Sequence, residues 1–176
     1  MGLNGDSDSF QCNGRIVVSD PCYDLDTDQP LGVLNKCGPH IFEAVEGRWR
    51  ADVEYWNGNL VGELRAYSRG HYSDATTYVG RVIGVDSGQA GVFDADDYRN
   101  GITDGSRYND EAEEWYERVS FKNMIDVNGV CSSHFGGDGC FDLYVDYSHD
   151  NVVSAIRIVF HEDEEDDWED EEDEWY

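Results

Sequence analysis

Basic residues are scarce in this sequence. It contains 12 Lys and Arg against 39 Asp and Glu, which gives a formal net charge of -27, and its lysines are Lys36 and Lys122. Such a chain repels phosphate backbones, so direct nucleic-acid binding through a basic groove is excluded. High acidity with little lysine is also expected of proteins kept soluble in concentrated salt. A halophilic host, or a virus of one, is therefore one hypothesis for the origin of the chain.

Long apolar runs and export signals are missing as well. No stretch approaches the roughly 18 apolar residues that span a bilayer. Residues 1–14 lack the basic and apolar regions of a signal peptide. We therefore expect no membrane partner and no secretion by a signal peptide, and predict a cytoplasmic or virion location.

The cysteines have no local metal-binding spacing. Successive cysteines are separated by 10, 15, 94 and 9 positions, whereas zinc knuckles place two cysteines two to four residues apart. An odd number of cysteines without an export signal predicts reduced thiols, buried as small hydrophobic side chains. The set is Cys12, Cys22, Cys37, Cys131 and Cys140.

One segment has the alternating acids of a calcium loop. Asp24, Asp26 and Asp28 follow that spacing, but Gln29 replaces the glycine of the turn and Asn35 replaces the bidentate glutamate. Because both diagnostic positions fail, we predict no cofactor, and a divalent cation such as calcium stays an unsupported alternative.

The body of the chain alternates apolar and polar residues with the period of a β-strand. Asn57-Gly58 is a hairpin turn signal between two such segments, and "SHDN" at 148–151 separates another pair. The predicted buried faces are Trp49, Ala51, Val53 and Tyr55; Leu60, Leu64 and Ala66; Phe141, Leu143, Val145 and Tyr147; and Val152, Ile156, Ile158 and Phe160.

Helical patterns are short. "NDEAEEWYERV" predicts one or two turns capped by Asn109 or Asp110, and "DADDYRNG" predicts one turn ending at Gly101. The fold class predicted is mainly β, a β-rich α+β domain. We expect an antiparallel sandwich or partly open barrel with one or two short helices. The predicted boundaries are a flexible lead-in at 1–13, a single domain at 14–160 and an acidic tail at 161–176.

Three polar clusters follow predicted strands, each beside glycine or proline. Loops that converge at one end of a β scaffold often form binding sites. The same residues also cap turns by bonding their own backbone, so a purely structural role stays open. The clusters are Ser19, Asp20, Cys22 and Tyr23; Asp86, Ser87 and Gln89; and Ser132, Ser133, His134 and Asp138.

Catalytic motifs are weak. The G-x-S-x-G elbow of hydrolases is absent. Cys22 and His134 could be paired as a thiol dyad, but any cysteine and histidine of one chain could be paired in this way. We predict no catalytic residues, and the chain is more consistent with a binding protein than with an enzyme.

Six ordered blocks stand out in the sequence: "SDPCY", "GRWRADVEY", "VGRVIGVDSGQAGVFDADDYRN", "EEWYERVSF", "GDGCFDLYV" and "VVSAIRIVF". Over about residues 14–160 they resemble a family of bacterial and phage proteins, domain of unknown function 4241. The resemblance implies a β-rich single domain and no particular activity. Phe141 and Asp142 depart from the Tyr and Pro common there after GDG. The resemblance further implies that one group of residues acts together as a ligand-binding site: Asp20, Cys22, Tyr23, Asp86, Ser87, Gln89 and Asp138.

Three functional hypotheses follow. The first is a non-enzymatic binding or structural protein, a virion-associated component of a halophilic system, that contacts capsid subunits or a basic protein. Its tail would contribute Trp168, Trp175 and Tyr176 as partner-binding anchors. The second is a nucleic-acid mimic that inhibits a host defence or DNA-binding protein. The third is a small-ligand binder or enzyme that uses the cleft of the polar loops.

Overall fold

In the part of the chain that the structure describes, ten strands form a β-sandwich. A computed structural model describes residues 9–25, 31–32, 37–71, 74–101, 110–121 and 128–162. One helix, α1 (Asp110–Phe121), and a short 3-10 helix (Tyr98–Gly101) accompany the strands. The strands are β1 (Ser9–Cys12), β2 (Arg15–Ser19), β3 (His40–Glu43), β4 (Gly47–Trp56), β5 (Leu60–Ser68), β6 (Thr77–Val85), β7 (Ala90–Asp94), β8 (Gly129–Ser132), β9 (Gly139–Tyr147) and β10 (Val153–Val159).

The strands form two antiparallel sheets. The larger has the order β1-β4-β5-β10-β9-β6 and the smaller the order β3-β2-β7-β8. Two neighbouring pairs are the hairpins that the sequence predicts, β4–β5 and β9–β10. Asn57 and Gly58 both have positive φ, 49° and 77°, which is why this dipeptide suits the first turn.

The small sheet is buried on both faces. Ile16 and Val18 of β2 pack in the core between the sheets, whereas Val17 packs in a second core with Trp115 and Val119 of α1. Residues buried on both faces of a strand form continuous apolar runs rather than alternating ones. This burial explains the β-branched segment "IVV" of β2.

Helix α1 covers the second core with one apolar stripe. Ala112, Trp115 and Val119 follow helical spacing and are each at most 4% exposed. The first turn carries Asp110, Glu111 and Glu113, whose charges interact favourably with the helix dipole. With 12 residues, α1 is longer than the one or two turns predicted. Its acids are exposed to solvent.

The predicted fold class is confirmed, with differences at particular residues. Tyr55 was assigned to the buried face of β4 but is 42% exposed, because the register shifts between Glu54 and Tyr55. Ser9–Cys12, which lie within the predicted lead-in at 1–13, pair with β4 as strand β1. His161, assigned to the tail, donates its backbone amide to the Gly62 carbonyl over 3.2 Å and stacks on Trp56.

A disulfide corrects the prediction of reduced thiols. Cys37 and Cys140 are bonded across a sequence separation of 103. Antiparallel pairing of β6 with β9 places Cys140 opposite Gly84, and Gly84 also approaches Cys37. Cys12, Cys22 and Cys131 are outside this disulfide, and Cys12 is buried as expected.

Candidate functional site

The carboxylate of Asp20 joins two of the predicted loops. It is fully buried and accepts hydrogen bonds from the backbone amides of Cys22, Asp86 and Ser87, each at 2.8 Å, and from the Ser87 hydroxyl at 2.6 Å. Asp20 follows β2 of the small sheet, whereas Asp86 and Ser87 follow β6 of the large sheet. One buried acceptor therefore holds the ends of both sheets together.

Tyr98 and Arg99 fix the backbone of the loop at residues 20–24. The Tyr98 hydroxyl lies 3.0 Å from the Asp20 carbonyl oxygen and 2.8 Å from that of Tyr23. Arg99 donates to the Cys22 carbonyl over 3.2 Å and forms an ion pair with Asp24 at 2.7 Å. Sequence reasoning missed both residues, because no short pattern indicates that they contact a loop 75 to 77 positions away.

Tyr23 connects the same loops at the surface. Its hydroxyl donates to the Asp86 carboxylate over 2.6 Å. Partial burial, and then the hydrogen bond to Asp86, raise the pKa of the phenol, so it remains a proton donor at neutral pH. Asp86 stays exposed and keeps further acceptor capacity toward solvent.

The third loop lies at the same end of the sandwich. Val85 and Gly139 are the last pair of the β6–β9 ladder, and Asp86 and Asp138 are the residues just beyond that pair. Gln89 contacts the Cys131 thiol through its side-chain oxygen at 3.8 Å. Asp138 is exposed and is not part of the hydrogen-bond network that surrounds Asp20 among the described residues.

A cleft of about 790 Å³ opens beside these loops. Loop 22–24, residues 37–39 and helix α1 form its walls together with Asp86 and Arg99. Two exposed carboxylates, those of Asp86 and Glu113, share it with the rings of Tyr23 and Tyr116. We call this the acidic cleft, since Arg99 is the only base in its described lining and is paired with Asp24.

Cys22 also lines the acidic cleft, but its thiol is not activated. Burial, followed by the hydrogen bond and charge of Asp20, raises the pKa of Cys22 to about 12. The thiol is therefore protonated at neutral pH and is a poor nucleophile. His134 does not line the described cleft, and its Nδ1 lies 2.9 Å from the Ser133 hydroxyl, which disfavours a Cys22–His134 dyad.

The remaining predicted positions belong to the calcium-like segment and to the acidic tail. Asp24 of the calcium-like segment is engaged with Arg99, and Asp26 and Asp28 lie outside the described residues. Within the described ranges, no group of three or more His, Cys, Asp or Glu is arranged to hold a metal ion. The partner-binding anchors Trp168, Trp175 and Tyr176 lie outside the described residues.

Comparison with known proteins gives no match among family models, curated proteins or solved structures. The resemblance to domain of unknown function 4241 therefore stays a prediction. In the parts of the chain that the structure covers, no helix is both long and apolar enough to cross a bilayer. The fold and site together describe a β-sandwich with an acidic, tyrosine-lined cleft at one end.

Proposed function

We propose that this protein is a non-enzymatic binding protein whose acidic cleft receives a lysine or arginine side chain of a basic protein partner. The observation that carries the proposal is the meeting of the Asp86 and Glu113 carboxylates with the Tyr23 and Tyr116 rings in one cleft. Carboxylates pair with a cation, and aromatic faces attract it through the ring quadrupole.

The net charge of the chain supports a basic partner. At -27, the chain attracts positively charged surfaces over long range and speeds their association. The single base in the described cleft lining, Arg99, is only 5% exposed and its charge is balanced by Asp24. Arg99 therefore shapes the wall and leaves the carboxylates of Asp86 and Glu113 available to a partner.

The chemistry of the cleft favours binding over catalysis. Asp20 is saturated by hydrogen-bond donors, the Cys22 thiol has its pKa raised to about 12, and the pKa of Tyr23 is raised as well. None of these groups has the properties of a base or nucleophile at neutral pH. The third hypothesis, a small-ligand binder or enzyme that uses a cleft of the three polar loops, shares Cys22, Tyr23 and Asp86 with the acidic cleft.

The identity of the basic partner follows from the sequence hypotheses. Capsid or other virion subunits of a halophilic system would supply arginine-bearing surfaces, and the tail residues Trp168, Trp175 and Tyr176 would add aromatic anchors. Helix α1 presents five exposed acids, which form one surface for a basic partner: Asp110, Glu111, Glu113, Glu114 and Glu117.

The same row of acids supports a second candidate function, mimicry of nucleic acid. A mimic would present its carboxylates to a DNA-binding protein in place of phosphates. The two functions differ in competition: duplex DNA displaces a mimic from its partner, whereas a partner held by one side chain in the acidic cleft keeps its affinity in the presence of DNA.

Binding of a fluorescent hexa-arginine peptide tests the proposal. Anisotropy titrations would compare the wild type with the double variant D86N/E113Q in salt of about 0.5 M, where long-range attraction is screened. The matched control, D110N/E117Q, removes the same charge from α1 outside the described cleft lining. We expect the cleft variant to weaken binding about tenfold or more, equivalent to about 1.4 kcal/mol, and the control to change it little. Equal losses in both variants would contradict a localised site.

A further inference from the structure

The outward side of the large sheet differs in charge from the rest of the chain. Side chains of β4, β5, β9, β10 and β6 that alternate with core residues point away from the small sheet, and we call this surface the outer face. Leu143 and Val145 of β9 are buried in the core, whereas Tyr144 between them lies on the outer face. The outer face is independent of the acidic cleft.

Ion pairs order the centre of the outer face. Arg65 contacts Glu54 at 2.5 Å and Glu63 at 2.7 Å, and Glu63 also contacts Arg157 at 3.1 Å. The side chains of Arg65, Glu63 and Arg157 are about one fifth exposed, so the network is partly shielded from solvent. Such a network holds its charged groups in place before any partner arrives.

Aromatic rings extend this network toward the β6 edge. The Arg157 guanidinium lies 4.2 Å from the centre of the Tyr144 ring, and Tyr144 contacts Tyr78 with a centroid distance of 5.2 Å. Tyr78 is 55% exposed, and Arg81, paired with Asp142 at 3.3 Å, has a side chain that is 67% exposed. Tyrosine and arginine are the residue types that contribute most to protein interfaces.

The charges of the outer face cancel. Five of its side chains are arginines and five are acids, so the formal -27 of the chain resides elsewhere. The arginines represent half of the ten in the sequence. The two sets are Arg48, Arg50, Arg65, Arg81 and Arg157, and Asp52, Glu54, Glu63, Asp142 and Asp146.

We propose that the outer face binds a second copy of this chain. Two copies related by a twofold axis would present the same patch to each other, which requires each patch to be self-complementary. Equal numbers of arginines and acids meet that requirement, since arginines of one copy can face acids of the other. The acidic surface of α1 could not meet its own copy without repulsion.

The acidic C-terminal segment is the competing occupant of this face. Residues 163–176 follow Glu162, which lies beyond the end of β10 and lines two clefts at the margin of the outer face. The charged side chains of those clefts are Glu54, Glu63, Asp142 and Glu162 against Arg81 and Arg157, an acidic excess. A segment that carries eleven acids is repelled by such a lining, so charge favours a second copy.

Sedimentation equilibrium of the full chain tests the proposal. We expect reversible dimerisation that strengthens as salt rises toward about 0.5 M, because screening weakens the repulsion between two acidic molecules. R81E should raise the dimer dissociation constant about tenfold or more by placing a new acid beside Asp142. Y78S should also weaken the dimer, and it does so without a change of charge.

The matched control is R15E, on β2 of the small sheet. Arg15 also pairs with an aspartate, Asp96, at 3.1 Å, and its side chain is 54% exposed, so the charge change equals that of R81E on the opposite sheet. R15E should leave the dissociation constant within about twofold. Equal weakening by R15E and R81E would overturn the proposal. A chain that stays monomeric at about 0.2 mM would overturn it as well, and hydrogen-exchange protection of the outer face in that monomer would identify the C-terminal segment as the occupant.

Discussion

Asp20 and Ser87 are joined twice, by the Ser87 backbone amide at 2.8 Å and by its hydroxyl at 2.6 Å. The two residues are separated by 67 positions and extend from different sheets. A buried carboxylate with several donors is costly to remove, because each donor loses its partner without regaining water. The pair therefore closes one end of the sandwich and sets the rim of the acidic cleft.

The first prediction concerns this carboxylate. Asp20→Ala should lower the free energy of unfolding by about 3 kcal/mol, since several buried donors become unsatisfied. Urea unfolding followed by circular dichroism measures the change. Asp138→Asn, at an exposed position of the neighbouring loop, should stay within about 0.5 kcal/mol of the wild type. Equal effects of the two substitutions would show that Asp20 is not the link between the sheets.

The second prediction concerns the Cys37–Cys140 disulfide. The bridge closes a loop across a separation of 103 residues and so lowers the conformational entropy of the unfolded chain. In the chain-entropy account, a loop on the order of 100 residues stabilises the folded state by about 4.7 kcal/mol. The double variant C37S/C140S should therefore melt at a lower temperature than the wild type, while C22S should have a smaller effect. Thiol titration of the unfolded, unreduced chain should detect three cysteines, those outside the disulfide. Detection of all five would contradict the bridge.

The third prediction is a dependence of stability on pH through His40. The ring is buried, Nε2 lies 2.9 Å from the Val82 carbonyl, and Nδ1 has no partner among the described residues. Burial lowers the pKa of His40 below its ordinary value of 6.5. The folded state then binds fewer protons than the unfolded state. The contribution of His40 to the free energy of unfolding is therefore complete above about pH 6.5 and declines as the pH falls below that value.

His40→Gln tests this dependence, because glutamine is uncharged throughout the range and its amide can still donate to a carbonyl. The free energy of unfolding of the wild type should fall between about pH 6.5 and pH 5, and the variant should lose part of that slope. Identical slopes in the two proteins would assign the effect to other groups. A substitution of the exposed His149 should leave the slope unchanged.

The fourth prediction concerns the reactivity of Cys22. A rise of its pKa from 9.0 to about 12 reduces the thiolate fraction at pH 8 about a thousandfold relative to an ordinary thiol. Alkylation by iodoacetamide, followed by peptide mass spectrometry, should be correspondingly slow at this position. D86N should accelerate it, since the Asp86 charge contributes to the raised pKa. Rapid labelling of Cys22 in the folded wild type would contradict the protonated state and reopen a catalytic interpretation of the cleft.

Most of the candidate site was predictable as a set of positions but not as a set of contacts. Asp20, Cys22, Tyr23, Asp86 and Ser87 were identified from their place after apolar runs, and the structure joins them. The role of each residue was less evident, because Asp20 accepts hydrogen bonds within the protein and does not face a ligand from solvent. Glu113 and Tyr116 were not identified, since nothing in the α1 pattern indicates which outward residues meet a cleft.

Short sequence patterns predicted the strand segments, the Asn57-Gly58 hairpin and the acidity of α1, because alternation and turn chemistry act over a few neighbouring residues. The order of strands within each sheet determined the rest. It brought Tyr23 to Asp86, Cys37 to Cys140 and Arg99 to Asp24, and it assembled charges from five strands into one neutral face. Contacts between residues dozens of positions apart depend on how whole strands pair and pack, which no short pattern encodes.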